Sequence, residues 1–256
     1  MNKATPLRLA CYIFFVFITL GFGFFAPVFI AAFAGLCVII FLTWYLLRED
    51  PVSYLLIPNN RKHLKDFFTS FLAGIFFCTL LCALLKMSNI GYDFRIVDTI
   101  WIICLTVPLQ SLYEEVIFRS LLQRRLLSRF FQGNDFRAVL LALVFSVSHW
   151  INYKVTAGVE LQLSTLAALF AFGLAGGLLF NIQNNLSGAW GFHAGWNTVR
   201  FGLAHSVAGV SLTEAATFDH IEGSMAGVVV AVVVLAAVLV WAHFVRHQIP
   251  AAKADR

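Results

Sequence analysis

Charged residues are scarce in this sequence. Asp, Glu, Lys and Arg make up only 12% of its 256 residues, whereas soluble domains carry roughly 25%. Hydrophobic residues make up 60%, and the mean hydropathy is +0.84. A surface with so little charge would not stay dissolved in water. This composition therefore excludes an ordinary soluble domain and favours a protein that lies in the bilayer.

The sequence also lacks the motifs of several protease classes. It has no His-Glu-x-x-His, which excludes membrane zinc proteases of that design. It has no Gly-x-Ser-x-Gly, and no pair of Asp residues lies in an apolar run, so serine and aspartyl catalysis have no clear candidate residues. The five cysteines all lie in apolar runs, where they are typical of small apolar side chains and not of a disulfide or zinc set.

Apolar runs long enough to span a bilayer, about 20 residues each, cover most of the chain. They predict an all-α, polytopic helix bundle of about eight spans, forming a single membrane domain over residues 1–256. No small-residue cleavage site follows the weakly basic N-terminus, so we expect no cleavable signal peptide. The spans are expected at roughly 8–25, 27–47, 67–87, 97–118, 137–152, 162–181, 187–206 and 224–245.

The remaining segments are polar. Residues 48–66 form a charged loop in this prediction, and shorter polar loops are expected at 88–96, 153–161 and 207–223. The stretch 119–136 is basic and amphipathic, so it either continues the fourth span below the membrane or lies in the interface.

Basic residues indicate the orientation of a membrane protein, because they concentrate on the cytoplasmic side. With a cytoplasmic N-terminus, the predicted outer loops contain only Lys86, Arg95 and Lys154. This asymmetry predicts that both termini are cytoplasmic. The basic residues show no clustered exposed face, so no nucleic-acid partner is expected. The cytoplasmic segments hold Lys3, Arg8, Arg48, Arg61, Lys62, Lys65, Arg124, Arg125, Arg129, Arg137, Arg246, Lys253 and Arg256.

Ionisable side chains within a span are costly to bury, so each is a candidate functional residue. Of the 13 acidic residues, only Glu114 and Glu115 lie in the interior of a predicted span, and the others fall in loops, at span ends or in the tail. We expect Arg200 and His205 to be structural, with Arg200 either pairing with a carboxylate of the site or lying at a membrane boundary. The whole polar set comprises Glu114, Glu115, Arg119, His149, His193, Asn197, Arg200 and His205.

The spacing of these residues predicts which of them meet. Glu115 and Arg119 are four residues apart, in the order that favours an ion pair on a helix. Glu114 projects about 100° away around the same helix, toward the spans that carry His149 and His193. We therefore expect Glu115 to stay ionised and orient its helix, and Glu114 to act as a general base.

A second polar face lies on the seventh span. His193 and Asn197 share this face with Arg200, and Gly191 and Gly195 would let another helix approach it closely. A carboxylate, two imidazoles and an amide that meet across three helices suffice for peptide hydrolysis. The carboxylate takes a proton from water, and imidazole and amide donors stabilise the oxyanion.

Depth in the membrane is a difficulty for this arrangement. By the span boundaries, Glu114 lies toward the cytoplasmic end of the fourth span and His149 lies late in the fifth. Their heights would differ by roughly 10 Å, given the helical rise per residue. The two residues meet only if the fourth helix reaches the bilayer later or the fifth helix starts below it.

At these residues the sequence resembles the CPBP (Abi) family, which includes type II CaaX prenyl endopeptidases and bacteriocin-processing enzymes. The family pattern is Glu-Glu-x-x-x-Arg, then Phe-x-x-x-His, then His-x-x-x-Asn or His-x-x-x-Asp. No motif position is missing, and the order matches over about residues 110–200. The motifs stand here as Glu114-Glu115-Val-Ile-Phe-Arg119, Phe145-Ser-Val-Ser-His149 and His193-Ala-Gly-Trp-Asn197.

The resemblance implies a glutamate-dependent intramembrane endopeptidase, with catalytic core helices at 97–206. The first glutamate would activate water, with the first histidine beside it, while the last histidine and the asparagine would stabilise the oxyanion. The catalytic residues implied in this way are Glu114, His149, His193 and Asn197, with Glu115 and Arg119 in support.

Several alternatives stay open. No cofactor is expected, but a zinc ion held by Glu114, His149 and His193 is compatible with the residues. The alternative function is a non-catalytic membrane scaffold or a bacteriocin-immunity protein of the same fold. The expected partners are membrane lipid and a peptide or membrane-protein substrate, for example a C-terminal sorting signal or a lipidated tail. The expected location is the plasma membrane, as a multi-pass protein of a bacterial inner membrane.

Overall fold

A computed structural model of the chain describes residues 11–12, 28–55, 60–87, 92–96, 100–207, 210–211, 219 and 221–248. The helices of this part are α1 (Val28–Leu42, extended by a π-helical turn at Thr43–Leu47), α2 (Pro51–Leu55), α3 (Arg61–Met87), α4 (Ile100–Glu115), α5 (Asn134–Ala157), α6 (Leu163–Gln183), α7 (Ser187–Gly202) and α8 (Met225–Gln248). A π-helical segment (Val116–Leu126) and a 3₁₀ turn (Leu127–Arg129) follow α4 directly. Three short strands, β1 (Tyr92–Ile96), β2 (Leu203–Val207) and β3 (Val210–Ser211), form one antiparallel sheet in that order.

The predicted all-α membrane fold is confirmed. α1 and α3 to α8 coincide with the predicted spans from 27–47 onward. Among the described helices, four are long and apolar enough to cross a bilayer: Arg61–Met87, Asn134–Val155, Leu163–Gln183 and Met225–Val245. The predicted span 8–25 lies outside the described residues, apart from 11–12. The total number of spans and the side of the termini stay predictions.

The segment 48–66 is not the continuous loop that its charge suggested. It contains α2, and α3 already begins at Arg61. The reason is local, because the side chain of Asn60 accepts a hydrogen bond from the backbone N–H of His63 at 2.9 Å. This is a helix N-cap, which satisfies an otherwise unpaired donor of the first turn. The cap lets the helix start within the polar segment, before the apolar run.

The small sheet was not predicted. β1 lies in the expected loop 88–96, and β2 replaces the end of the predicted span 187–206, so the helical part of that span stops at Gly202. The two strands follow the same ends of α3 and α7, which run parallel. Backbone groups beyond a helix end need hydrogen-bond partners, and here the two outgoing segments satisfy each other as paired strands.

Glycines bring α3 and α7 into backbone contact, as their positions predicted. A Cβ atom added at Gly191 would lie 2.2 Å from the carbonyl oxygen of Phe67, and one at Gly195 would lie 2.0 Å from that of Phe71. No residue with a side chain fits at such distances. The residue numbers increase together on the two helices, from the contact of Phe67 with Gly191 to the contact of Phe71 with Gly195. The two helices are therefore parallel.

The fourth helix extends well beyond its predicted end. It continues through the π-helical segment 116–126, and α5 begins earlier than predicted, at Asn134. Glu114 therefore lies deep inside its helical run, as His149 does inside α5. The basic stretch after Glu114 continues the helix as far as Leu126, so Glu114 and His149 both lie inside helices that can bring them together.

Side chains of the π-helical segment anchor it to the rest of the bundle. The amide of Gln123 donates hydrogen bonds to the carbonyl of Gly177 at 3.1 Å and to the side chain of Asn181 at 2.8 Å. On the other side, the guanidinium of Arg125 donates to the carbonyl of Tyr54 at 2.9 Å. π-helical turns are rare and occur often at functional sites, and this one begins immediately after the two glutamates.

Candidate functional site

Glu115 and Arg119 form the ion pair that their spacing predicted. The Nε atom of Arg119 donates to Oε2 of Glu115 at 3.0 Å, and both side chains are buried. Space for the guanidinium comes from Gly176 on α6, where a Cβ atom would lie 3.0 Å from Nη2 of Arg119. A buried charge is tolerated only when it is paired, so this pair commits Glu115 to a fixed position.

His193 lies between the two glutamates. Its Nδ1 atom is 2.9 Å from Oε1 of Glu115, and its Nε2 atom is 3.8 Å from Oε2 of Glu114. The helix position of Glu114 predicted that it faces the span that carries His193, and in the structure Glu115 meets the same ring as well. The two carboxylates leave the helix in different directions, but the imidazole is wide enough to meet one at each ring nitrogen.

Glu114 has a more open environment than Glu115. Its side chain is 20% exposed, against 4% for Glu115. The amide of Gln110, one turn earlier on α4, donates to Oε1 of Glu114 at 3.3 Å. Its Oε2 atom, which faces His193, accepts no hydrogen bond from the described residues. This oxygen is buried and lacks a donor, so a water molecule or a substrate group that enters the site would satisfy it.

Phe145 organises the two histidines. Its backbone carbonyl accepts a hydrogen bond from Nδ1 of His149 at 2.9 Å, so the Nε2 atom of the neutral ring carries the lone pair. The Phe145 ring lies 4.3 Å from the His149 ring and 6.4 Å from the His193 ring, measured between centroids. His149 interacts electrostatically with both Glu114 and His193. The three motifs that the sequence places far apart thus meet in one cluster.

Asn197 lies one turn after His193 on α7 and is half-buried. Its side chain makes no hydrogen bond within the part of the chain that the structure describes, so its amide is free to donate to a substrate. His205, expected to be structural, lies in β2.

Arg200 has a partner that the sequence did not indicate. Its Nε atom lies 2.9 Å from Oε1 of Glu222, and both side chains are buried. Glu222 belongs to the segment 207–223, which its polarity predicted to be a loop, so it was not counted among the buried acids. A signal was present, since a buried arginine requires an anion and Glu222 closely precedes the last apolar run.

The site residues do not form a clear metal centre. Among the described residues, no three His, Cys, Asp or Glu side chains are grouped as metal ligands. The alternative zinc set of Glu114, His149 and His193 is therefore not assembled in this arrangement. Both ring nitrogens of His193 face glutamates instead.

The segment that carries this cluster matches a known family model. Residues 96–199 match the family described as type II CAAX prenyl endopeptidase, Rce1-like. Over these residues the chain is similar to that family. The matched segment contains all three motifs, from Glu114 to Asn197, whereas Arg200 and Glu222 lie outside it. No curated protein and no solved structure matches the chain. With its apolar helices, the chain is an integral membrane protein.

Proposed function

We propose that this protein is an intramembrane endopeptidase that uses Glu114 to activate water. One observation carries the proposal: of the carboxylates in the described cluster, Glu114 is the one without an arginine partner. Glu115 is paired with Arg119, and Glu222 is paired with Arg200. Glu114 is also the most exposed of the three, which suits a group that must bind water and exchange a proton.

The hydrogen bonds of the site support the following proton movements. Glu114 takes a proton from the bound water, and the resulting hydroxide attacks the carbonyl carbon of the scissile peptide bond. The Nε2 atom of His149 can share that water, because its Nδ1 proton is held by the carbonyl of Phe145. When the tetrahedral intermediate collapses, the C–N bond breaks and the leaving amine takes from Glu114 the proton that came from the water.

Two side chains of α7 are placed to stabilise the oxyanion. The side-chain N–H of Asn197 donates a hydrogen bond whatever the protonation state of its neighbours. Nδ1 of His193 donates to the ionised Glu115, so Nε2 donates to an oxyanion when the ring carries both protons. Removing one such donor from other acyl-transfer sites costs about 10²–10³-fold in rate.

The substrate we propose is a peptide or a membrane-anchored protein, in the form of a C-terminal sorting signal or a lipidated tail. The family description and the apolar surroundings of the site support this choice, because a lipidated or membrane-embedded segment reaches such a site from the bilayer. The proposed location is a bacterial inner membrane, with the chain crossing it several times. Membrane lipid is then the second partner.

Proteomics of the membrane fraction tests the proposal. Cells that express the wild-type protein should lack one precursor that accumulates, uncut, in cells that express Glu114→Ala. Glu160→Ala is the matched control, because Glu160 is exposed and pairs only with the surface residue Lys154. If both variants are present at wild-type levels and no precursor accumulates, the protein is a non-catalytic scaffold or immunity protein of the same fold.

Cleavage should not depend on a metal ion. The purified protein is expected to contain less than one equivalent of zinc and to keep its activity in a strong chelator, because Glu114 and His149 act through hydrogen bonds and proton transfer. Metal analysis and a cleavage assay with the chelator check this. Stoichiometric zinc, with activity that chelation removes and zinc restores, would make Glu114 a ligand instead of a base.

A further inference from the structure

A second buried ion pair lies on the same helix as the oxyanion donors. Arg200 on α7 meets Glu222 at 2.9 Å, and the side chains are only 3% and 2% exposed. The Arg200 guanidinium also packs 4.5 Å from the centre of the Phe201 ring. Neither Arg200 nor Glu222 has a role in the proposed reaction, and both lie beyond the family match.

The position of Arg200 connects this pair to the site. Arg200 lies three residues after Asn197 and seven after His193, so the three side chains share one face of α7. Trp196, one turn before Arg200, lies in the same apolar cluster as Ile221, the neighbour of Glu222. The segment that carries Glu222 therefore meets α7 at two consecutive turns, through Ile221 and through Glu222.

The segment that supplies Glu222 is itself firmly held. Asp219, three residues earlier, accepts hydrogen bonds from the backbone N–H of Gln162 at 2.8 Å and from the hydroxyl of Thr165. These bonds tie the segment to the start of α6. Gly223 packs against Thr165 so closely that a Cβ atom would overlap its hydroxyl. Glu222 is thus a fixed point to which α7 is attached, and the hydrogen bonds of Asp219 secure that point from the side of α6.

A buried ion pair is a poor source of stability, because the cost of removing two charges from water often exceeds their attraction. Apolar residues of similar volume would hold the same space at least as well. The interaction between the two charged side chains is directional. It therefore restricts the rotation of α7 about its axis more than apolar contacts do.

We propose that Arg200 and Glu222 are positioning residues that set the rotation of α7, and with it the placement of Asn197 and His193 against a bound substrate. This inference depends on the proposed protease function. A displacement of about 1 Å in an active site can reduce a rate by about 10²-fold, so a small rotation of α7 is sufficient.

The first test compares Glu222→Gln with Asp219→Asn. Both changes replace a buried carboxylate of one short segment by its amide, but Glu222 is paired with Arg200 on α7, whereas the hydrogen bonds of Asp219 go to the start of α6. Glu222→Gln is expected to reduce kcat by about 10- to 100-fold with little change in KM, measured per folded protein. Asp219→Asn should lower the Tm to a similar degree and leave kcat unchanged. Equal kcat values for the two variants would overturn the proposal.

The second test is the double variant Arg200→Met/Glu222→Leu, in case Glu222→Gln folds poorly. It removes both charges, so its Tm should be near or above that of the wild type. Its kcat should stay as low as that of Glu222→Gln, because apolar contacts do not fix the rotation of α7. Recovery of both Tm and kcat would show that the pair has a structural role alone. If Glu114→Gln is inactive while Glu222→Gln is fully active, this inference fails and the protease function stands.

Discussion

Glu114→Gln should reduce peptide cleavage by about 10²–10⁴-fold, the contribution that general acid–base groups make, and should leave the protein folded. The substitution removes the proton acceptor but keeps the size and the hydrogen bond to Gln110. The Glu114 carboxylate has no arginine partner among the described residues, so its neutralisation leaves no cation unpaired. The measurement is a cleavage assay on purified protein, with thermal unfolding followed in parallel.

Glu115→Gln should behave differently, although it changes the adjacent residue in the same way. It leaves the buried Arg119 without its counter-charge, which is expected to cost about 3–5 kcal/mol of stability. Activity should fall as well, because Glu115 also holds Nδ1 of His193 at 2.9 Å. Arg119→Ala should resemble Glu115→Gln, and the double variant should cost less than the two single changes added together, since both remove one interaction.

Glu160→Gln is the control for this pair of variants, because it removes a carboxylate from an exposed position. Its Tm and activity should match those of the wild type. The opposite pattern would be near-normal cleavage by Glu114→Gln together with a stable but inactive Glu115→Gln. That result would make Glu115 the base and Glu114 a supporting residue.

Among the described glycines, Gly195 should be the most sensitive to substitution by alanine. The added Cβ would lie 2.0 Å from the carbonyl oxygen of Phe71. Overpacking of a side chain usually costs about 1–3 kcal/mol, but here the obstacle is backbone and cannot rotate away. The helices α3 and α7 must separate, so we expect a loss at or above the upper end of that range. Cleavage should be lost too, because His193 lies between Gly191 and Gly195.

Gly191→Ala should give a similar result, because its Cβ would lie 2.2 Å from the carbonyl oxygen of Phe67. Gly133→Ala is the matched control. A Cβ at Gly133 meets only the Cβ of Phe136, at 3.5 Å, which is an ordinary contact. Thermal unfolding and cleavage assays on the three variants check the prediction. Wild-type stability in Gly195→Ala would show that the two helices are not in backbone contact.

The membrane class, the main helices and the Glu115–Arg119 pair follow from the sequence alone. Scarce charge and long apolar runs permit only a protein that lies in the bilayer. The ion pair follows from the geometry of one helix, because residues four apart always lie on the same face. The three motifs, and the close approach that Gly191 and Gly195 allow, are likewise properties of short segments.

The tertiary structure decided how these segments face one another. Only packing shows that His193 meets both glutamates and that the fourth helix continues past its apolar run through the π-helical segment. Only packing shows that Glu222, from a segment that looked like a solvated loop, is buried against Arg200. Local spacing fixes which residues share a face of a helix. The rotation and depth of each helix depend on contacts with partners distant in the chain, and the pattern of one segment does not contain those contacts.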